Sequence, residues 1–213
     1  MWRDAICALA ESYDRMDPHT AHEAVVQIYN SQAVKPRDYR LKDTDAWCAA
    51  FITALGLQLG ISSTVIPECS VPEMVRLYQR AGRWEEDDAF LPARGDLLIY
   101  DWDDSGAGDN TGEPDHIGIV TARLGTSLIV VEGNRNGRVG IRSVSVNASY
   151  IRGYCLPEYE AIGRASVPSW AVDEFQQAID AGITDGSRPL APCTRYEAAI
   201  MALRARRGDD DGR

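Results

Sequence analysis

The feature that most limits the fold is a change of hydrophobic period near Gly95. Before this glycine, apolar residues recur at helical spacing. After it, the chain breaks into short segments rich in branched residues and separated by Gly, Asp and Asn. Residues three and four apart line one face of a helix, whereas short branched runs bounded by turn residues are typical of strands. The order predicts an α+β fold, with N-terminal helices packed on an antiparallel sheet.

Three stretches of the N-terminal half carry helix signals. Thr20 is placed to cap the second part of the first stretch, and Ser70 begins a capping-box pattern that ends at Glu73. One of the polar residues at positions 43–45 is expected to cap the helix that contains Cys48. The predicted helices are residues 1–33, broken near Asp17-Pro18, residues 46–59, and a helix that opens at Ser70 and runs to about Ala81.

Five segments after Gly95 read as successive strands of one sheet. They are rich in branched residues and bounded by turn residues. Side chains alternate along a strand, so His116 is expected to share a face with Gly118 and Val120. The expected strands are residues 95–102, 116–123, 127–134, 137–146 and 150–157.

A change of composition at residues 161–169 predicts a domain boundary. Beyond it, a short helical stripe is expected to stop at Gly182, and a second capping-box pattern begins at Thr194. Two short helices bury little surface alone, so this hairpin must lean on the main domain or on a partner. The expected organisation is a main domain at 1–160, a C-terminal helical hairpin at 165–206 and a disordered tail at 207–213.

The charge of the chain is strongly acidic, with a formal net charge of −10 at pH 7 over 213 residues. Nucleic-acid binding needs a basic face, and anionic lipid needs a polybasic patch. We therefore expect neither nucleic acid nor membrane as a partner. The N-terminus does not have the pattern of a signal peptide, and five scattered cysteines predict reduced thiols. Both features predict synthesis in the cytoplasm.

Cys48 stands at the predicted start of a helix, a setting that activates a thiol. The free backbone N–H groups and the helix dipole at this end favour the thiolate, which is the reactive form. The other four cysteines lie in mid-helix, loop or strand-end positions. Cys48 is thus a candidate nucleophile, and space-filling in an apolar stripe is the alternative. That stripe consists of Cys48, Ile52, Leu55 and Leu59.

The base that such a nucleophile needs is expected among three histidines. His19 and His22 form a spaced pair on a polar helix. They are either two ligands of a metal without a visible third or ordinary surface residues. His116 opens a strand, where the alternative to a catalytic base is a partly exposed edge residue. We expect no metal and no cofactor in the site.

Two polar residues end the strand that follows His116. A period of two places Glu132 and Asn134 on one face, at the end of an apolar run. Either side chain could form a hydrogen bond with one imidazole nitrogen of His116. Such a bond would fix the tautomer of the ring and leave the other nitrogen facing the sulfur. The alternative is that this stretch is turn chemistry. The residues do not decide which of the two orients His116.

The acidic segment after Tyr100 invites a calcium interpretation. Asp101, Asp103 and Ser105 match the start of an EF-hand loop, but the twelfth position is Gly112, where a bidentate Glu is needed. A solvated loop with Asx turns beside His116 is the expected alternative.

Five sequence blocks in this order resemble the CHAP domain, the cysteine, histidine-dependent amidohydrolase/peptidase group of the NlpC/P60 superfamily. They are AWCAAF, ARGDLLIYDWDD, DHIGIV, VEGN and IRGYCLP, and the resemblance spans roughly residues 20–158. It implies a papain-like fold. It also implies that Cys48 is the nucleophile, His116 the base, Glu132 the third polar residue and Asn134 a neighbouring fourth.

The resemblance implies peptidoglycan hydrolysis, by an amidase or an endopeptidase of the phage or bacterial lysin type. Such an enzyme would be made in the cytoplasm and act on the cell wall after release. The C-terminal segment resembles one S-layer-homology-like repeat, which implies wall binding. These modules usually work in threes, so a single copy would require self-association or helper contacts. The residues that carry this likeness are Trp170, Gly182, Ile183, Gly186, Pro189, Thr194, Arg195 and Glu197.

Two other hypotheses remain open at this point. One keeps the fold but makes the chain a thiol acyltransferase or deamidase that acts on proteins. The other is a catalytically idle binding module, in which Cys48 would react no faster than the other thiols.

Overall fold

The computed structural model describes residues 2–103, 112–159 and 172–181. The chain divides into two compact units, Met1–Ile162 and Gly163–Arg213. In the second unit the structure describes one helix, in the region where the first helix of the hairpin is predicted. The second predicted helix and the predicted tail lie outside the described residues, as does most of the acidic segment after Asp103.

The described elements run in the predicted order, with helices before strands. The strand boundaries agree with the predicted segments to within about two residues at most ends, which is the usual uncertainty of element ends. One short strand, β1, was not predicted. The helices are α1 (Trp2–Asp14), α2 (Pro18–Asn30), α3 (Cys48–Gln58), α4 (Val71–Arg80) and α5 (Val172–Asp180), and the strands are β1 (Trp84–Glu85), β2 (Leu97–Tyr100), β3 (His116–Leu124), β4 (Ser127–Arg135), β5 (Arg138–Ser145) and β6 (Ile151–Cys155).

The six strands form one antiparallel sheet in the order β1-β6-β2-β3-β4-β5. Helices α1, α2 and α3 contact this sheet, so the prediction of an α+β fold with N-terminal helices on an antiparallel sheet is confirmed. Alternate residues of the central strands face two different apolar clusters, as the period of two requires. Leu97, Ile99, Ile117, Ile119 and Val131 face the helices, and Leu98, Tyr100, Val120 and Val130 lie in the opposite cluster.

Helix α3 is buried on all sides rather than along one stripe. Every residue from 48 to 56 is buried, because the helix lies between α2 and strands β3 and β4. Its sequence, CAAFITALG, is apolar nearly throughout, which is typical of a fully buried helix. The predicted stripe is therefore too narrow a description of this helix.

The predicted helix caps are wrong in detail. The residue before α3 is Trp47, and it makes no side-chain capping bond. Asp45 instead accepts hydrogen bonds from the Lys42 backbone N–H at 2.8 Å and from the Tyr39 hydroxyl at 2.9 Å, which shape the preceding loop. Ser70 precedes α4 without a side-chain capping bond as well.

At α2 the cap is Asp17 rather than Thr20. The Asp17 carboxylate accepts hydrogen bonds from both the backbone N–H and the hydroxyl of Thr20. An acidic cap also suits the positive end of the helix dipole.

An ion pair joins α1 to the start of β2. Arg3 donates to the buried carboxylate of Asp96 at 2.7 Å and to the carbonyl oxygen of Arg94 at 2.8 Å. Asp96 also accepts from the Ala93 backbone N–H at 2.8 Å. Asp96, in the sequence block ARGDLLIYDWDD, thus joins the N-terminal helix to the sheet.

None of the helices in the described parts of the chain is long and apolar enough to cross a membrane.

Candidate active site

Cys48 is the first residue of α3 and is 4% exposed. The first turn of the helix lies against the end of β4 at Gly133. A Cβ added at Gly133 would lie 2.5 Å from the Cβ of Phe51, closer than real Cβ atoms come. Only glycine allows this approach, so the sequence Glu-Gly-Asn brings the start of α3 to the end of the sheet.

His116 is the first residue of β3, and its side chain is 13% exposed. It pairs with Tyr100 of β2, and the two ring centroids are 5.5 Å apart. Gly118, two residues along the same face, leaves space for the neighbouring strand, because a Cβ there would lie 2.9 Å from Cγ of Glu132. His116 therefore opens a strand, as predicted, but this strand lies between β2 and β4 and the ring is largely covered, so His116 is not the partly exposed edge residue of the alternative.

Glu132 lies in β4, directly opposite Gly118, and is fully buried. Its Oε2 is 3.3 Å from Nε2 of His116. Since Nε2 faces the carboxylate, Nδ1 is the ring nitrogen left for another partner. Cys48 is close enough to the same ring to contribute to the raised pKa of His116. Side chains from α3, β3 and β4 thus meet at one end of the sheet.

The charges of His116 and Glu132 stabilise each other. Burial lowers the pKa of His116, but the hydrogen bonds and charges of Cys48 and Glu132 outweigh it and raise this pKa to about 9. Burial raises the pKa of Glu132, but hydrogen bonds from His116, Arg142 and Tyr100 outweigh it and lower this pKa to about 2. At neutral pH the pair is therefore an imidazolium beside a carboxylate.

Asn134 lies outside this set of contacts. Its φ is 56°, in the left-handed region, and the pairing of β4 with β5 shifts register between Glu132 and Arg135. The regular alternation that places Asn134 on the face of Glu132 therefore ends before it. Of these two residues, Glu132 makes the contact with His116.

Three residues that contact Glu132 were not predicted from the sequence. The Tyr100 hydroxyl donates to Oε1 at 2.7 Å, and Arg142 of β5 donates to both carboxylate oxygens, at 2.6 and 3.1 Å. Arg135 adds an ion pair at 3.7 Å. A period of two places Arg142 on the same face as Gly140, but its contact with Glu132 depends on the register between strands.

The spaced histidine pair noted in the sequence, His19 and His22, lies outside this site. His19 is exposed, and its ring lies 3.6 Å from the carboxylate of Glu23. His22 is half-buried, and its ring stacks on Trp47 with centroids 5.1 Å apart, so it is not an ordinary surface residue. Trp47 itself is buried against Phe51, which makes it a packing residue.

The described part of the acidic segment forms an Asx turn. The carboxylate of Asp101 accepts from the backbone N–H of Asp103 at 3.1 Å, which agrees with the expected loop chemistry. Ser105 lies outside the described residues. Within residues 2–103, 112–159 and 172–181, no three His, Cys, Asp or Glu side chains gather as metal ligands would.

The other described cysteines have settings that suppress reactivity. Burial raises the pKa of the Cys7 thiol to about 12 and that of Cys155 well above its ordinary value. Cys69 is half-buried, and burial raises its pKa too. Among the cysteines that the structure describes, Cys48 is the one beside a histidine.

No family model and no curated protein matches the chain. Among solved structures, the chain is similar to the crystal structure of Ly7917, with 15% sequence identity and a TM-score of 0.35. The similarity covers 67% of this chain and 63% of Ly7917, so the chain spans less than two thirds of that protein. A likeness of this size leaves the function of the chain to be argued from its own residues.

Proposed function

We propose that this chain is a papain-like cysteine amidohydrolase. In it Cys48 is the nucleophile, His116 the general acid and base, and Glu132 the group that orients His116. The observation that carries the proposal is that three side chains from separate elements come together: the Glu132 carboxylate lies 3.3 Å from Nε2 of His116, and Cys48 is near enough to help raise the pKa of that ring. Such an arrangement is the general requirement for nucleophilic acyl transfer.

The first half of the reaction forms an acyl-enzyme. The Cys48 thiolate attacks an amide carbonyl carbon, a C–S bond forms, and the carbonyl oxygen takes the negative charge. Backbone N–H groups in the first turn of α3 are placed to donate to this oxyanion. The C–N bond then breaks, and the imidazolium of His116 gives its proton to the leaving amine.

The second half releases the acyl group. Neutral His116 takes a proton from water, and the resulting hydroxide forms a bond to the thioester carbon. The C–S bond breaks and returns the thiolate, while the product leaves as a carboxylic acid. Glu132 stabilises the imidazolium that forms in this step and keeps Nε2 protonated.

The proposed substrate is the peptide part of peptidoglycan, cleaved as an N-acetylmuramoyl-L-alanine amidase or as an endopeptidase. Support comes from the sequence blocks around Cys48, His116 and Glu132, which resemble the CHAP domain of the NlpC/P60 superfamily. By the same resemblance, the chain would be a phage or bacterial lysin that reaches the wall after release. By that resemblance alone, Asn134 is proposed as a fourth polar residue beside the site, although it lies outside the contacts between His116 and Glu132. The segment 165–206 is proposed as a wall-binding or packing hairpin.

The test is digestion of purified peptidoglycan, followed by mass spectrometry of the released fragments. Sacculi with diaminopimelate stems and sacculi with lysine stems serve as the two substrates. Cys48→Ala is the blank, and Cys69→Ala is the matched control because it removes a thiol that has no histidine partner among the described residues. The control variant is expected to release as much material as the unmodified chain.

The chemical groups newly exposed on the released fragments show which bond is cleaved. N-terminal alanine with intact glycan indicates the amidase, and a free amine in the stem or cross-bridge indicates the endopeptidase. Absence of Cys48-dependent release from either substrate would overturn the choice of peptidoglycan. Cleavage or transfer on a protein would then favour the acyltransferase or deamidase.

A further inference from the structure

The carboxylate that faces His116 is itself held by an arginine of the next strand. In the pairing of β4 with β5, Glu132 lies opposite Gly140, and Val130 lies opposite Arg142. Arg142 is therefore a diagonal neighbour of Glu132 on the same face of the sheet, within reach of a long side chain.

The contacts leave the carboxylate one orientation. Nε of Arg142 donates to Oε1 at 2.6 Å and Nη2 donates to Oε2 at 3.1 Å, so the guanidinium grips both oxygens. The Tyr100 hydroxyl adds a second short bond to Oε1, at 2.7 Å. With Oε1 taken up by these donors, Oε2 is the oxygen that faces His116.

The guanidinium is fixed in turn by aromatic rings. Its central carbon lies 4.8 Å from the centroid of Trp102 and 5.8 Å from that of Tyr100. A planar guanidinium can stack on rings and bond a carboxylate with two parallel N–H groups, whereas an ammonium group offers a point charge only. Trp102, Arg142 and Glu132 therefore form a continuous support that ends at the imidazole.

A buried carboxylate without donors tends to take up a proton. As a neutral acid, Glu132 would lose both its charge and its fixed role as an acceptor. The groups that face it are His116, Tyr100, Arg142 and, at 3.7 Å, Arg135. Of these, Arg142 is the one that supplies a full positive charge together with two hydrogen bonds.

We propose that Arg142 is a positioning residue of the Cys48–His116 pair, which acts through Glu132 by keeping the carboxylate charged and aimed at Nε2. Its effect on turnover depends on the proposed function. Its effect on Glu132 and on the reactivity of Cys48 can be measured without substrate, so a failure of this inference can be told apart from a failure of the proposed function.

The direct test is an NMR titration of protein labelled with ¹³C at the glutamate carboxyl carbon. The Glu132 signal is assigned by its absence in Glu132→Gln. In the unmodified chain this carboxyl is expected to stay ionised between about pH 4 and pH 7. In Arg142→Gln its midpoint is expected to rise from about 2 by roughly two pH units, to the lower end of that range. Arg142→Lys keeps the positive charge but loses the two parallel N–H groups that bond both carboxylate oxygens, so it should give a smaller shift of the Glu132 midpoint.

The matched control is Arg152→Gln. Arg152 is also a partly buried arginine over a tryptophan, 5.5 Å from the ring of Trp84, but it bonds Glu86 and the carbonyl oxygen of Gly112 instead of Glu132. It should leave the Glu132 titration unchanged. If Arg142→Gln does not fold, Tyr100→Phe replaces it, because this variant removes one bond to Oε1 and should shift the midpoint in the same direction.

The second readout is alkylation of Cys48 at pH 6. Arg142→Gln is expected to slow it by about tenfold, because a neutral Glu132 no longer stabilises the imidazolium that favours the Cys48 thiolate, and a change of one pKa unit alters the thiolate fraction about tenfold. Arg142→Lys should recover part of the loss. An unchanged Glu132 titration together with unchanged alkylation would overturn the proposal. A shifted titration in a chain that does not cleave peptidoglycan would uphold this inference and reject the substrate.

Discussion

Cys48 lies at the start of α3 and is near enough to His116 to help raise the pKa of the ring. An imidazolium beside the sulfur and the N-terminus of α3 both stabilise a thiolate. Cys48 is therefore expected to react with iodoacetamide at pH 6 at least ten times faster, roughly, than Cys7, Cys69 or Cys155, whose pKa values are raised by burial. Peptide mass spectrometry of a timed reaction measures each rate.

The control for this experiment is another histidine. His116→Ala should bring Cys48 close to the rate of the other thiols, while His19→Ala should not, because His19 is exposed and lies beside Glu23. Equal rates at Cys48 and at the three thiols compared with it in the unmodified chain would support the idle binding module instead.

The protonation of His116 predicts a pH limit for hydrolysis. Its pKa is raised from 6.5 to about 9, so the ring holds its proton at neutral pH and loses it as the pH rises through about 9. Hydrolysis needs this proton for the leaving amine, and kcat/KM should fall above that pH. Alkylation needs only the thiolate, so its rate should not fall over the same range. Parallel pH profiles of the two reactions check this, and a joint decline would argue against His116 as the acid.

Helix α3 can lie this close to β4 because residue 133 is a glycine and has no side chain. A Cβ at position 133 would lie 2.5 Å from Cβ of Phe51, so Gly133→Ala must push the first turn of α3 away from the sheet. Cys48 would move with it, and a displacement of about 1 Å at a reacting group can cost about 10²-fold in rate. We expect a loss of roughly 10- to 100-fold in Cys48 alkylation at pH 6.

Gly140→Ala on the adjacent strand is the matched control. Its added Cβ would lie 3.3 Å from Cδ of Arg135, an atom of a flexible side chain that can shift. The loss of reactivity should be clearly smaller than for Gly133→Ala. Full reactivity in Gly133→Ala would mean that the contact with Phe51 does not set the position of the thiol.

The elements were largely predictable because their hydrophobic periods are long and clear. Strand β1 was missed because two residues, Trp84 and Glu85, carry no period. The caps were missed because polar side chains before a helix have competing partners, as Asp45 has in Lys42 and Tyr39. Such local bonds are decided by loop conformation, which a periodic pattern does not contain.

The candidate site was predictable only in part, for a related reason. Cys48, His116 and Glu132 stand at the ends of predicted elements, where an exposed end of a sheet and a helix start can meet. Arg142 reaches Glu132 through the register of β4 with β5, and register is a property of the folded sheet. The role of Gly133 likewise depends on how closely α3 lies against the sheet.

The buried charges of the site also affect the stability of the whole unit. The pKa of Glu132 is lowered from 4.5 to about 2, so its ionised form contributes stability above pH 4.5 that is lost as the pH falls through about 2. The pKa of His116 is raised from 6.5 to about 9, so its charge contributes stability below pH 6.5 that is lost as the pH rises through about 9. The two windows overlap between about pH 4.5 and 6.5.

We therefore expect the contribution of this pair to the free energy of unfolding to be greatest in that overlap. Urea unfolding at a series of pH values measures it, in the unmodified chain and in Glu132→Gln. Because glutamine does not titrate, the variant should lose less stability than the unmodified chain as the pH falls from 4.5 towards 2. His116→Gln should likewise flatten the decline above pH 6.5. Identical acid slopes for the unmodified chain and Glu132→Gln would show that the Glu132 carboxylate is not held as an ion by its neighbours, and the arrangement of Arg142, Tyr100 and His116 around it would then need another explanation.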